Sequence, residues 1–215
     1  MLFAVAGLFA QAQDKVNLLN GKILEGEVVS TADEQVTLKM KVRKGKVYDT
    51  YLENYRVFSI INKDGQETVI YKQDTSIGNF LTPPDMKNYM FGERDADNNY
   101  RPYGTMILGA GLGLGFSMYD TYSFRTDTAL GVQKGFFRAD PGLVHLVFPL
   151  VFTIGSGMVR TQLDIKNVSD MNFLSSEHYI QGFGRVARFK RTIRALLFST
   201  AGSVLGLGMY YIFRP

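Results

Sequence analysis

Residues 89–119 read YMFGERDADNNYRPYGTMILGAGLGLGFSMY, and the change of character inside this stretch decides how the rest of the chain is read. The first half is charged and helix-forming. The second half, Tyr103 to Tyr119, has no charged side chain and a tyrosine at each end. A helix of this length rises about 25 Å, at the low end of what crosses a bilayer core of roughly 30 Å, and tyrosines suit the two interfaces. Gly109, Gly111, Gly113 and Gly115 form two interleaved G-x-x-x-G pairs, which permit close backbone approach by another helix. GAGLGLG is a poor nucleotide loop, because no strand and turn precede it and the segment continues apolar.

A related pattern returns ninety positions later. Tyr89, Gly92 and Ala96, followed by the apolar block, align without a gap with Tyr179, Gly182 and Val186, followed by the block from Ala195. This predicts a duplicated unit, each copy a lead helix joined to a membrane segment.

Two further charge-poor blocks follow, Leu143–Val159 within 141–159 and Ala195–Phe213 within 195–215. Gly202 and Gly206 repeat the spacing of four in the last of them. Spans are therefore predicted at 103–119, 141–159 and 195–215, separated by a mixed loop at 120–140 and by a loop and basic helix at 160–194. Ser175 or Ser176 caps that helix, which begins at Glu177. Arg185, Arg188, Lys190, Arg191 and Arg194 precede the last block with no acid between them, the pattern of a juxtamembrane segment that contacts anionic lipid. This placement assigns the net charge of +4 and the pI of about 9.2 to a membrane surface in preference to nucleic acid.

The chain begins differently. MLFAVAGLFAQA at 1–12 resembles the tail of a secretory signal peptide ending in Ala10-Gln11-Ala12, without the basic n-region. Residues 13–74 alternate strands with turns: Val16–Leu19 and Ile23–Val29 across Asn20-Gly21, then Val36–Val42, a break at Gly45, Val47–Leu52, Val57–Ile61, and Thr68–Tyr71 after Asp64-Gly65. Six short strands predict a small antiparallel barrel. Val16-Asn-Leu18-Leu-Asn20-Gly21-Lys22, then Gly26, Val28 and Asp33 with Val36-Thr37-Leu38, resemble the first signature of the Sm-like barrels, of which an SH3-like barrel is the generic form. The resemblance implies a fold only, since the RNA-contacting second signature has no match around Arg56-Val57-Phe58. A linker at 75–84 leads to a charged helix at 85–102, with Thr82 as N-cap, Pro83 at the first position and Asp85 completing the cap.

The fold class expected is thus an α+β membrane protein. The whole chain resembles uncharacterised bacterial envelope proteins that join a signal peptide and a small β domain to a Y-x-x-G-E-x-D-A helix and glycine-rich membrane segments; Tyr89, Gly92, Glu93, Asp95 and Ala96 carry the resemblance. It implies location and architecture and no activity.

Function classes narrow by what is missing. There is no cysteine, so thiol catalysis, disulfides and zinc thiolate sites are excluded. His145 and His178 suggest no triad, and His145 reads as an interfacial imidazole. Glu93, Asp95 and Asp97 diverge around a helix, with Arg94 interleaved, and read as a solvated face in preference to a metal site. No catalytic, metal or cofactor residue is assigned, and an enzyme is not expected. The leading expectation is a membrane-anchored binding or scaffold protein, its β domain taking a protein partner and its glycines driving homo-oligomers, in the inner membrane with the β domain in the periplasm. Topology carries a conflict, because Lys87, Arg94, Arg101 and the basic helix favour a cytoplasmic face on the side that export would place outside. A small channel or transporter component built from the duplicated helix-plus-span unit, its path lined by Thr105, Ser117, Thr153, Ser156, Ser199, Thr200 and Ser203, is the alternative, and a soluble Sm-like nucleic-acid binder the third.

Overall fold

The computed structural model describes residues 13–32, 34–41, 46–126 and 134–214. The expected leader at 1–12 lies outside the described residues, as do Asp33, Val42 and Gly45. Six strands come first, β1 (Asp14–Leu18), β2 (Ile23–Thr31), β3 (Gln35–Lys41), β4 (Val47–Glu53), β5 (Val57–Ile61) and β6 (Glu67–Val69). Four helices follow: α1 (Pro83–Asn99), α2 (Tyr103–Asp120), α3 (Val144–Met158) and α4 (Glu177–Phe213). The chain divides into two compact units, one holding the chain up to Arg94 with Asp170–Phe183, the other Asp95–Ser169 with the chain from Gly184.

In the first unit the strands form one antiparallel sheet in the order β4-β3-β2-β1-β5-β6. Asn20-Gly21 turns β1 into β2 with Gly21 at φ +76°, a conformation that glycine adopts without steric cost. Alternation sets the faces of β3: Val36 and Leu38 are fully buried while Gln35, Lys39 and Lys41 are exposed. Val16, Leu18, Leu52, Val57 and Ile60 complete this core. Gly26 lets β2 bend across β3, since a Cβ there would strike the Lys39 carbonyl and the Leu38 side chain, and a register shift follows between Val28 and Ser30.

The sheet is open, which corrects the expected Sm/SH3-like barrel. The reason lies in β5. One of its edges pairs with β1 and the other with β6, so among the described residues β4 has no strand to close upon and ends the sheet on the far side. A second apolar cluster, Phe58, Tyr71 and Met90, seats α1 against the sheet. That helix starts as the sequence predicts, with Thr82 Oγ1 and the Asp85 carboxylate hydrogen bonded at 2.6 Å.

The second unit has its polarity reversed. Gly109, Gly113, Ser117, Ser199, Gly202 and Ser203 are buried, while Ile107, Leu146, Val151, Ile154, Leu205 and Ile212 are exposed, Ile212 at 74%. Among the described residues α4 alone is long and apolar enough to cross a bilayer. The three predicted spans are corrected accordingly. α3 has 15 residues and contains Pro149, so it rises only about 22 Å against the roughly 30 Å of a hydrocarbon core. α2 reaches 18 residues, but its glycines and terminal Asp120 dilute its apolarity. The basic segment and the last apolar block are a single helix of 37 residues, since no glycine or proline at their junction interrupts it.

Candidate membrane interface

The inward face of α4 in the second unit is built from small residues. Ala195, Ser199, Gly202, Ser203, Gly206 and Tyr210 recur at three- and four-residue spacing and are all buried. They meet α2. A Cβ on Gly109 would lie 3.2 Å from the Ser199 nitrogen, and one on Gly113 would strike the Ser199 carbonyl and sit 3.0 Å from the Ser203 nitrogen. From the other side, Gly202 abuts the Ala110 carbonyl and Gly206 abuts Ser117. Residue numbers rise together along the contact, so the two helices run parallel. Four of the six predicted packing glycines, Gly109, Gly113, Gly202 and Gly206, are therefore occupied inside the chain; Gly111 and Gly115 look into open space.

The first unit carries the same relation between α1 and the start of α4. Gly92 lies against the Tyr179 carbonyl and Gly182 against the Tyr89 carbonyl, each glycine blocked by the other copy's tyrosine. Tyr89, Gly92, Tyr179 and Gly182 of the repeat motif thus face one another. Tyr179 also stacks on Phe173, with ring centroids 5.5 Å apart. Packing of this kind depends on contact between backbones, which a single methyl group prevents.

The acids of the motif sit differently from expectation. Asp97 is exposed, but Glu93 and Asp95 are buried, at 3% and 5% exposure. The solvated-face reading fails for these two because α1 is packed on more than one side. Asp95 has a definite structural task, accepting hydrogen bonds from the Ser169 amide at 2.9 Å and its hydroxyl at 2.7 Å. Ala96 is buried beside it.

The five basic residues of α4 do not form one uniform patch. Arg185, Arg188 and Arg194 are exposed. Lys190 is half-buried and donates to the carbonyls of Ala96 and Asp97, capping the last turn of α1, where Arg101 also donates to the Asp97 and Tyr100 carbonyls. Burial lowers the Lys190 ammonium below the usual lysine range; the Asp97 carboxylate opposes this, while the Arg101 and Arg194 guanidiniums add to it. Arg191 is buried, and its Nη2 donates to the carbonyl of Val159, just past the end of α3. At the opposite end of α3, Asp120 accepts from the Gly142 amide at 2.7 Å and lies 3.7 Å from His145 Nδ1. Of the hydroxyls in these helices, Thr153, Ser156 and Ser199 donate to carbonyls of their own helix.

One constellation in the first unit escaped sequence reasoning. Arg94 Nη2 donates to Asn17 Oδ1 at 2.9 Å, Asn17 Nδ2 to Ser59 Oγ at 3.0 Å, and Ser59 Oγ to Glu67 Oε1 at 2.7 Å; Lys87 Nζ donates to Glu67 Oε2 at 2.7 Å. The chain of bonds leaves α1 at Arg94, crosses β1, β5 and β6, and returns to α1 at Lys87, seven residues earlier on the same face. The available signal was Ser59, a polar residue within the otherwise apolar β5, and Asn17 between Val16 and Leu18. Hydrogen bonding to Lys87 holds the Glu67 carboxyl below the usual carboxylate range, Ser59 adding to the shift and partial burial opposing it. At the sheet's far edge β4 pairs with β3 alone among the described residues and exposes Tyr48 and Tyr51. No protein-family model, curated protein or solved structure matches this chain.

Proposed function

We propose that the protein is a membrane-anchored binding or scaffold protein of the bacterial cell envelope, held in the inner membrane by α4 and presenting its β domain to the periplasm. The observation that carries this reading is the reversed polarity of the second unit. Large aliphatic side chains of α2, α3 and α4 point outward over small and hydroxylated residues, an arrangement costly in water and favourable against lipid tails. On this reading the outer sides of α2 and α3 also touch lipid. The Ala10-Gln11-Ala12 ending supports export, and the open edge of β4 offers backbone groups to an added strand of a partner protein. Copies associate through Gly111 and Gly115, the α2 glycines that α4 leaves open.

The absence of native cysteine supplies the test. A cysteine placed at Lys63, beside the exposed Asp64-Gly65 turn, is offered a membrane-impermeant maleimide in cells with a permeabilised outer barrier. The protein is expected in the carbonate-resistant membrane fraction, with Lys63→Cys labelled before lysis. Release by carbonate would overturn the anchor, and labelling only after lysis would overturn the periplasmic assignment.

A further inference from the structure

Arg191 is the one basic residue of the cluster whose burial its protein contacts do not explain. It is 7% exposed, and its buried Nε has no hydrogen-bond partner among the described residues. A buried guanidinium charge lacking an anion is costly. In the second unit this side chain lines a pocket of about 560 Å³, together with Arg101, Gly104, Leu108, Phe152 and Gly155. No carboxylate is among the lining residues. Gly104 and Gly155 have open space where a side chain would stand, so the walls between the cation and the aliphatic side chains are clear. Arg101 is exposed and supplies a second guanidinium. The pocket therefore pairs positive charge with an apolar trough, the complement of an anionic headgroup carrying an acyl chain. Inorganic phosphate would satisfy the first and leave Leu108 and Phe152 unfilled. Position agrees, since Arg191 stands one helical turn before Ala195, where α4 becomes apolar, and thus at headgroup depth when α4 spans.

We propose that this pocket binds a single anionic phospholipid, its phosphate on Arg191 and an acyl chain laid along Gly104, Leu108, Phe152 and Gly155. The proposal rests on the membrane reading of α4, and it turns the diffuse lipid contact expected of the basic segment into one site with one deciding residue.

The test uses the full chain purified in a neutral detergent, with native mass spectrometry during titration with phosphatidylglycerol or phosphatidylcholine. One phosphatidylglycerol is expected to bind, preferred over phosphatidylcholine by at least about tenfold, a preference that Arg191→Met removes. Gly155→Leu, which fills the trough without touching the guanidinium, should also abolish binding and guards against a folding defect in the first variant. Arg185→Gln and Arg188→Gln, on exposed positions, should retain it. Equal binding by Arg191→Met and the parent protein would overturn the site, as would displacement of the lipid by millimolar inorganic phosphate, which would assign the pocket to a free anion. Flotation with phosphatidylglycerol liposomes separates the two readings: a protein that floats but shows no lipid preference loses the site and keeps the anchor, and one that does not float loses both.

Discussion

Gly92 lies against the carbonyl oxygen of Tyr179, and Gly182 lies in the same relation to Tyr89. The obstacle to a side chain is backbone on both sides of the crossing, so neither helix can yield by turning a rotamer. Gly92→Ala and Gly182→Ala are each expected to destabilise the protein by about 2–3 kcal/mol, the upper part of the range for overpacking. Gly184→Ala, inside α4, provides the contrast. Nothing stands near its position, and replacing a helical glycine there should gain about 0.5–1 kcal/mol. Denaturation of the three variants in detergent, followed by circular dichroism, checks the ordering; a neutral Gly92→Ala would mean that the helices do not cross at this point.

Arg94 holds α1 to the first hairpin by two bonds of its guanidinium, Nε to the Gly21 carbonyl and Nη2 to Asn17 Oδ1, each 2.9 Å, while its Cζ lies 5.2 Å from the centre of the Phe91 ring. A lysine keeps the charge but cannot reach both acceptors from one point. Arg94→Lys should therefore cost about 1–3 kcal/mol, close to the loss from Arg94→Met. Parent-like unfolding of Arg94→Lys would show that charge alone matters here.

Much of this fold was legible because local chemistry dictates it. Asn20-Gly21, Asp64-Gly65, the Thr82 cap and the alternation of Val36 and Leu38 each act over a few residues, and strands, turns and helix starts fall where they predict. Closure of the sheet was not legible. It depends on which strand claims the second edge of β5, and β6, only three residues long and on the exposed side of the sheet, gives little warning that it does so. The number of spans misled for another reason: absence of charge was visible, but glycines and the terminal Asp120 dilute the apolarity of α2, and α3 has only 15 residues. The burial of Arg191 was hidden too, since in sequence it looks like any neighbour in a basic run.

Glu67 links Ser59 and Lys87, and its carboxyl titrates below the usual range because Lys87 hydrogen bonds to the ionised form. The folded value is depressed, so the stabilisation is fully present above the unfolded value of about 4.3 and disappears as pH falls through the folded value. The melting temperature of the parent protein should therefore decline from about pH 4.5 downward more steeply than that of Glu67→Gln, which lacks the titrating group and starts lower at neutral pH. Parallel curves for the two proteins would remove Glu67 from any part in acid sensitivity.

Asp95 fixes the segment that follows α3 through the amide and hydroxyl of Ser169, and the buried carboxylate meets two donors with one oxygen. Removing the acceptor leaves a backbone N–H to find another, which costs more than losing a hydroxyl that can rotate toward water. Asp95→Ala should therefore destabilise by about 1–3 kcal/mol and Ser169→Ala by only about 0.5–1.5 kcal/mol. Combining the two should fall short of the sum, because the hydroxyl bond is already lost in either single variant. Hydrogen exchange gives the local readout. The Ser169 amide should exchange faster in Asp95→Ala and keep its protection in Ser169→Ala; unchanged protection in Asp95→Ala would mean that another acceptor, and not this carboxylate, holds the segment in place.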